Sequence, residues 1–134
     1  KDTRYLDQAR HIAQFILSNP TLPADKIPYW DYNAPGIPNA LRDASAASIM
    51  ASAFLELSQY VKSSEARDYT NVAKIILQQL SSDRYKAATG SNGGFILKHS
   101  VGNMPQKSEV DVPLTYADYY YIEALKRFKE SGIK

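Results

Sequence analysis

Apolar residues recur at helical spacing in four stretches of the chain, and those stretches set its plan. The first spans about Thr3 to Ser18, with Leu6, Ala9, Ala13, Ile16 and Leu17 on one face. Asn19-Pro20 ends it, because the residue before a proline avoids helical backbone. The second spans about Asp43 to Lys62. Its first half is nearly all small (Ala44, Ser45, Ala46, Ala47, Ser48, Ala51, Ser52, Ala53), a face that lets another backbone approach closely, and Ile49, Met50, Phe54, Leu57 and Val61 then supply bulk. The third spans about Ser64 to Leu80, with Tyr69, Val72, Ala73, Ile76 and Leu80 in register. The fourth opens at Thr115 with Asp118 three residues on, a pattern that predicts a capping box, and continues through Tyr119-Tyr120-Tyr121, Leu125 and Phe128 until Gly132 stops it. The short link between the second and third helices predicts a helical hairpin.

Two long connections separate these helices. Thr21 to Arg42 carries Leu22-Pro23, Ile27-Pro28-Tyr29-Trp30-Asp31-Tyr32, Pro35, Gly36 and Pro38. Ser82 to Leu114 carries Gly90-Ser91-Asn92-Gly93-Gly94, the apolar run Phe95-Ile96-Leu97, and His99-Ser100-Val101-Gly102. Loops this long inside a domain are uncommon and usually functional. The expected architecture is all-α: one helical domain over residues 1–134, with both loops gathered at one end of the stack.

Composition narrows the function classes. At 134 residues the chain is one domain's worth, with 44% apolar and 22% charged residues, which excludes disorder. Sixteen Lys and Arg against fourteen Asp and Glu leave a net charge of +2 with no basic cluster, so no nucleic-acid partner is expected. No apolar run approaches the roughly 18 residues of a membrane-spanning helix, so no membrane partner is expected either. There is no cysteine, which removes disulfide and thiolate chemistry. His11 and His99 are the only histidines and stand far apart, so no metal site is expected. The chain opens on Lys1 rather than Met, and the expectation is that its true start lies upstream.

Tyr29-Trp30-Asp31-Tyr32 sets flat aromatic faces and a carboxylate in a proline-bracketed loop, a combination suited to stacking on sugar rings and accepting their hydroxyls. The simpler reading makes Trp30 a lid on the core and Asp31 a turn former. Asp43 is placed to cap the second helix, while Arg42 beside it could clamp a carboxylate bidentately. The glycines at 90–94 lack the Lys-Ser/Thr of a phosphate loop and read as tight turns at positive φ. His99 is either a ligand contact or a satisfied structural histidine. No carboxylate pair and no Ser–His–Asp pattern stands out. From the residues alone the chain is a helical surface for carbohydrate or another small ligand.

Tyr29-Trp30-Asp31-Tyr32-Asn33-Ala34-Pro35, Arg42-Asp43-Ala44-Ser45-Ala46-Ala47, His99-Ser100-Val101-Gly102 and Asp118-Tyr119-Tyr120-Tyr121-Ile122-Glu123-Ala124-Leu125, in that order and spacing, resemble the C-terminal part of the unsaturated glucuronyl hydrolases, glycoside hydrolase family 88. The resemblance covers nearly the whole chain. It implies an (α/α)6 barrel of alternating inner and outer helices, of which these four would be the C-terminal third, with the long loops lining a sugar pocket. It also implies release of unsaturated uronic acid from lyase-generated glycosaminoglycan oligosaccharides by hydration of a vinyl ether, without metal or organic cofactor. A compartment of bacterial cytoplasm or periplasm follows from the same resemblance.

The family's acid/base aspartates lie in the N-terminal half of the barrel, so no catalytic residue is assigned to this chain, which is expected to be inactive alone. The implied substrate-binding residues are Trp30, Arg42 and His99. The three positions that in sulfate-preferring members hold two serines and a lysine fall here on Asn103, Gln106 and Ser108, with Lys107 adjacent. The implied partners are the oligosaccharide and the missing N-terminal portion of the barrel, or a second copy, because faces bearing Ala47, Met50, Ala51 and Phe54 would otherwise stand uncovered. Two other functions stay open: a non-catalytic helical module that binds carbohydrate or a partner chain, and a rhamnogalacturonyl hydrolase-like enzyme, ranked lower because the histidine and tyrosine motifs look closer to the glucuronyl family.

Overall fold

Helix α2 (Ala44–Leu57) runs through the middle of the protein because its small residues allow it to. In this computed structural model, which describes residues 2–132, ten of its fourteen residues are buried. Its neighbours are α4 (Thr115–Glu130), the more extensive contact, and α3 (Ser63–Leu80), while α1 (Thr3–Ser18) touches it lightly. Ala44, Ala47 and Ala51 of α2 and Ala117 and Ala124 of α4 are all fully buried, so the two axes can come close. Ser48 spends its hydroxyl on the Ala44 carbonyl at 2.8 Å, which makes a polar residue tolerable at a fully buried position. Phe54 stacks on Tyr69 of α3, with ring centroids 5.6 Å apart. Ile27, Tyr85 and Leu97, from the two long loops, complete the core with Ile76 and Leu80.

Several expectations hold, and several are corrected. The small-residue face is not uncovered: Ala47, Met50, Ala51 and Phe54 are all buried within the chain's own core. The second helix ends at Leu57, and residues 58–62 form the turn into α3. The all-α expectation fails at a small antiparallel hairpin, β1 (Ser100–Asn103) with β2 (Ser108–Val112). β-branched Val101 and Val110 face each other there, and the 103–108 stretch expected as loop supplies the turn and its two flanks. The capping box at Thr115 does not form, because α4 is capped from Leu114 and the Asp118 carboxylate is engaged elsewhere. The glycine run behaves as expected, with positive φ at Gly90, Gly93 and Gly94 and a 3₁₀ turn over Asn92–Gly94. No helix among the described residues is long and apolar enough to cross a membrane.

Candidate functional site

Two buried or half-buried carboxylates from helix starts hold the loops in place. Asp43 caps α2 through Ser45 N–H at 2.9 Å, as expected, and the same oxygen accepts the Ser45 hydroxyl at 2.6 Å and Val101 N–H at 3.2 Å. Its own N–H donates to the Pro28 carbonyl, and Ala44 N–H donates to the His99 carbonyl. One residue therefore joins the first loop, the start of α2 and the base of the hairpin. Asp118 does the same from α4: its two oxygens accept Ile96 and Leu97 N–H, each at 2.8 Å. Both long loops are thus gathered at the N-terminal end of α2.

Their meeting leaves a cleft of about 270 Å³, lined by Ala40, Leu41, Arg42, Arg84, Tyr85, His99 and Asp111. Between Ser100↔Val112 and Val101↔Val110 the hairpin register slips, leaving Asp111 as the extra residue of a bulge at φ 57°. Bulges re-aim side chains, and this one brings Asp111 Oδ1 within 2.7 Å of His99 Nδ1. His99 itself sits at φ 63°. Tyr85 forms the floor at 1% exposure, edge-on to the His99 ring. Burial pushes its phenol up, against a smaller opposing pull from Arg84 and Arg42. Neither the Tyr85 hydroxyl nor the buried Ser100 hydroxyl has a hydrogen-bond partner among the described residues.

The other site residues are divided. Arg42 lines this cleft, but its guanidinium is held bidentately by Asp25 at 3.1 Å, donates to the Ile27 carbonyl, and lies 4.6 Å from the centre of the Tyr29 ring. The clamp foreseen for a ligand carboxylate is filled by the chain's own. Trp30 lies in a separate cleft of about 740 Å³ with Phe15, Tyr29, Tyr32 and Ile49. Asp31 there accepts Asn33 N–H at 2.7 Å, the turn-forming role. Asn103 and Gln106 close the hairpin tip on each other, Asn103 Nδ2 donating to Gln106 Oε1 at 2.9 Å, and Ser108 is exposed beside them. So the structure brings Arg42 and His99 together, and sets Trp30 and the Asn103–Ser108 tip apart from them.

Sequence reasoning missed Arg84 and Tyr85, and it did not foresee that Asp111 pairs with His99. Alternating Val110 and Val112 next to Val101 was a strand signal that could have found the hairpin, and with it the Asp111–His99 pair. Among the described residues no cluster of three His, Asp or Glu side chains is placed to hold a metal ion.

No protein-family model matches the chain. It is 46% identical over 124 residues to an unsaturated glucuronyl hydrolase of Formosa agariphila, an alignment covering 92% of this chain and 30% of that protein. A crystal structure of an unsaturated glucuronyl hydrolase specific for heparin superposes with a TM-score of 0.94 at 51% identity, covering 98% of this chain and 35% of the other. A mutant unsaturated glucuronyl hydrolase from Streptococcus agalactiae, complexed with dGlcA-GalNAc6S, superposes with a TM-score of 0.77 at 26% identity, over 94% and 35% of the two chains. The chain spans about a third of the length of the relatives it matches.

Proposed function

The chain is homologous to unsaturated glucuronyl hydrolases over about a third of their length, and we propose that it is the C-terminal, substrate-binding third of such an enzyme. The reaction would be release of an unsaturated uronic acid from glycosaminoglycan oligosaccharides. A proton adds at C4 of the C4–C5 double bond, a water oxygen adds at C5, and the resulting hemiketal opens to free the sugar. This differs from the two-carboxylate scheme of ordinary glycosidases. The proton-transferring aspartates lie outside this chain. Its own contribution is a set of sugar contacts, Trp30, His99, Asn103, Gln106 and Ser108, on two loops that Asp43 and Asp118 hold at one end of the helices, with Arg42, bound to Asp25, lining the cleft beside His99.

The observation that carries this reading is the superposition of nearly the whole chain, loops included, on a solved glucuronyl hydrolase at a TM-score of 0.94. It is supported by an apolar surface that the chain itself leaves open. Tyr5 and Phe15 on α1 and Tyr119 on α4 are 79%, 62% and 61% exposed. Those faces suit the remaining helices of a closed barrel, or a second copy in their absence.

One observation favours the alternative of a non-catalytic module that binds carbohydrate. The core of α2, α3 and α4 closes on itself, with Ala44, Ala47, Ala51, Ala73, Ile76, Leu80 and Ala124 fully buried. Assay separates the readings. Incubated with an unsaturated chondroitin or heparin disaccharide, the 134-residue chain is expected to leave the double-bond absorbance unchanged. A chain carrying the preceding two-thirds is expected to abolish that absorbance. Enzyme-like turnover by the 134 residues alone overturns the placement of the catalytic acids, and no turnover by the longer chain favours the module.

A further inference from the structure

The glycine run of the second loop, which the carbohydrate reading leaves unused, holds a chemically labile residue. Asn92 is the chain's only asparagine followed by glycine, and asparagine is among the thermolabile residues. Asn92 and Gly93 both stand at positive φ, 57° and 64°, a conformation that suits these two residue types. In that conformation the Asn92 side chain acts as a clamp. Its Nδ2 donates to the Phe95 carbonyl at 3.2 Å and to the Leu97 carbonyl at 3.0 Å. Neither carbonyl has another donor among the described residues. Asp118 in turn accepts the Ile96 and Leu97 N–H groups. The segment 95–97, which buries Leu97 completely and leads into His99 and β1, is thus held by one amide and one carboxylate. The Gly93 N–H makes no hydrogen bond among the described residues, and Ser91, Gly93 and Gly94 are exposed while Asn92 is half-buried. No hydrogen bond within the protein has to break to free the Gly93 nitrogen, and no side chain shields it.

We propose that Asn92 is a site of spontaneous deamidation, gated by opening of the loop, whose product unlocks the segment leading to His99. The Gly93 nitrogen attacks Asn92 Cγ and gives up its proton as the new C–N bond forms. The Cγ–Nδ2 bond breaks, and the side-chain nitrogen leaves as ammonia with that proton. The five-membered imide that remains takes up one water and reopens at either carbonyl, to aspartate or isoaspartate at position 92. One amide and one water become one carboxyl group and one ammonia, with no oxidant or cofactor. Reaching the attack geometry requires Nδ2 to leave both carbonyls, so the rate follows local opening of the loop. The product cannot re-form the clamp. An ionised carboxylate only accepts hydrogen bonds, and here it faces two carbonyl oxygens that also only accept. Isoaspartate lengthens the backbone by a methylene besides. None of this depends on a bound sugar.

The test is incubation of the 134-residue chain in mildly alkaline buffer, folded and in urea, followed by trypsin and mass spectrometry. Cleavage after Lys86 and Lys98 isolates residues 87–98, in which Asn92 is the one side-chain amide. Residues 27–42 carry exposed Asn33 and Asn39, each followed by alanine, and serve as the internal control. The expected result is a progressive amide-to-acid mass gain, with isoaspartate, in 87–98 of the folded chain. Conversion is expected to be faster in urea, and 27–42 is expected to stay unchanged. Asp118→Ala, which releases the Ile96 and Leu97 N–H groups, is expected to speed conversion at Asn92 by about tenfold. Asn92→Asp keeps the side chain's shape and its tolerance of positive φ. It is expected to raise amide exchange at residues 95–98 by about tenfold and to leave α2 unchanged. A folded chain that stays unmodified at Asn92 while the urea sample converts overturns the site, as does conversion in neither. An unchanged rate in Asp118→Ala overturns gating by the loop, and unchanged exchange in Asn92→Asp overturns the unlocking.

Discussion

Helices α1 and α2 show two ways of using an apolar stripe. Ten residues of α2 are buried, and its alanines and serines let α3 and α4 close around it. In α1 only Ala13 is buried, although its apolar and polar positions segregate cleanly, and Tyr5, Ile12 and Phe15 face outward. The contrast teaches that amphipathic patterning reports burial somewhere, not burial within the same chain. Where the partner face is present the stripe becomes core. Where it is not, the stripe remains surface, and α1 and α4 then mark the two edges at which a larger helical assembly would continue.

The sharpest way to break this contrast is to truncate one phenylalanine in each helix. Phe54→Ala empties a buried, stacked position in α2 and is expected to cost about 3–5 kcal/mol, whereas Phe15→Ala in α1 is expected to stay within about 0.5 kcal/mol. Urea unfolding of both variants measures the difference. Equal losses would mean that α1 belongs to the same cooperative core.

The loops offer a finer comparison, because they are held by few atoms. Asp118→Ala leaves Ile96 and Leu97 N–H without their carboxylate, and the expected loss is about 2–3 kcal/mol, with amide exchange rising at residues 95–101 and not in α2. Uniform acceleration along the chain would contradict the picture of a loop pinned by one side chain.

The smallest expected effect concerns the floor of the cleft. Burial favours the neutral Tyr85 phenol, so its folded value lies above its unfolded one. Its contribution is therefore fully present below about pH 10 and is lost as pH rises beyond that through the folded value. Tyr85→Phe is expected to leave stability near neutral pH within about 0.5 kcal/mol, since the hydroxyl has no partner, and to flatten part of the alkaline decline. Thermal melts between pH 8 and 11 check both halves; Tyr32 and Tyr69, also shifted upward by burial, sustain the remainder of the slope.

What was legible in the sequence follows the range of the forces involved. The helices were readable because apolar residues such as Ala73, Ile76 and Leu80 recur every three or four residues, and Asp43 was readable as a cap because its partner Ser45 is two residues away. Thr115 and Asp118 looked like the same local device, yet Asp118 serves amides more than twenty residues upstream. The hairpin was missed because its strands are short, and a four-residue strand gives periodicity little to work on. With it went the bulge that turns Asp111 onto His99. Four motifs carried the family resemblance, and the structure assigns two of their aspartates, Asp43 and Asp118, to holding loops in place.

The most direct test of the central claim, that α1 and α4 are edges of a larger helical assembly, is the solution mass of the 134-residue chain by light scattering at increasing concentration. The account expects mass to rise above that of one chain, and Phe15→Ser with Tyr119→Ser to return it to the monomer value without altering the helical signal. A native chain that stays monomeric at every concentration would contradict the account, and would make it a self-contained module.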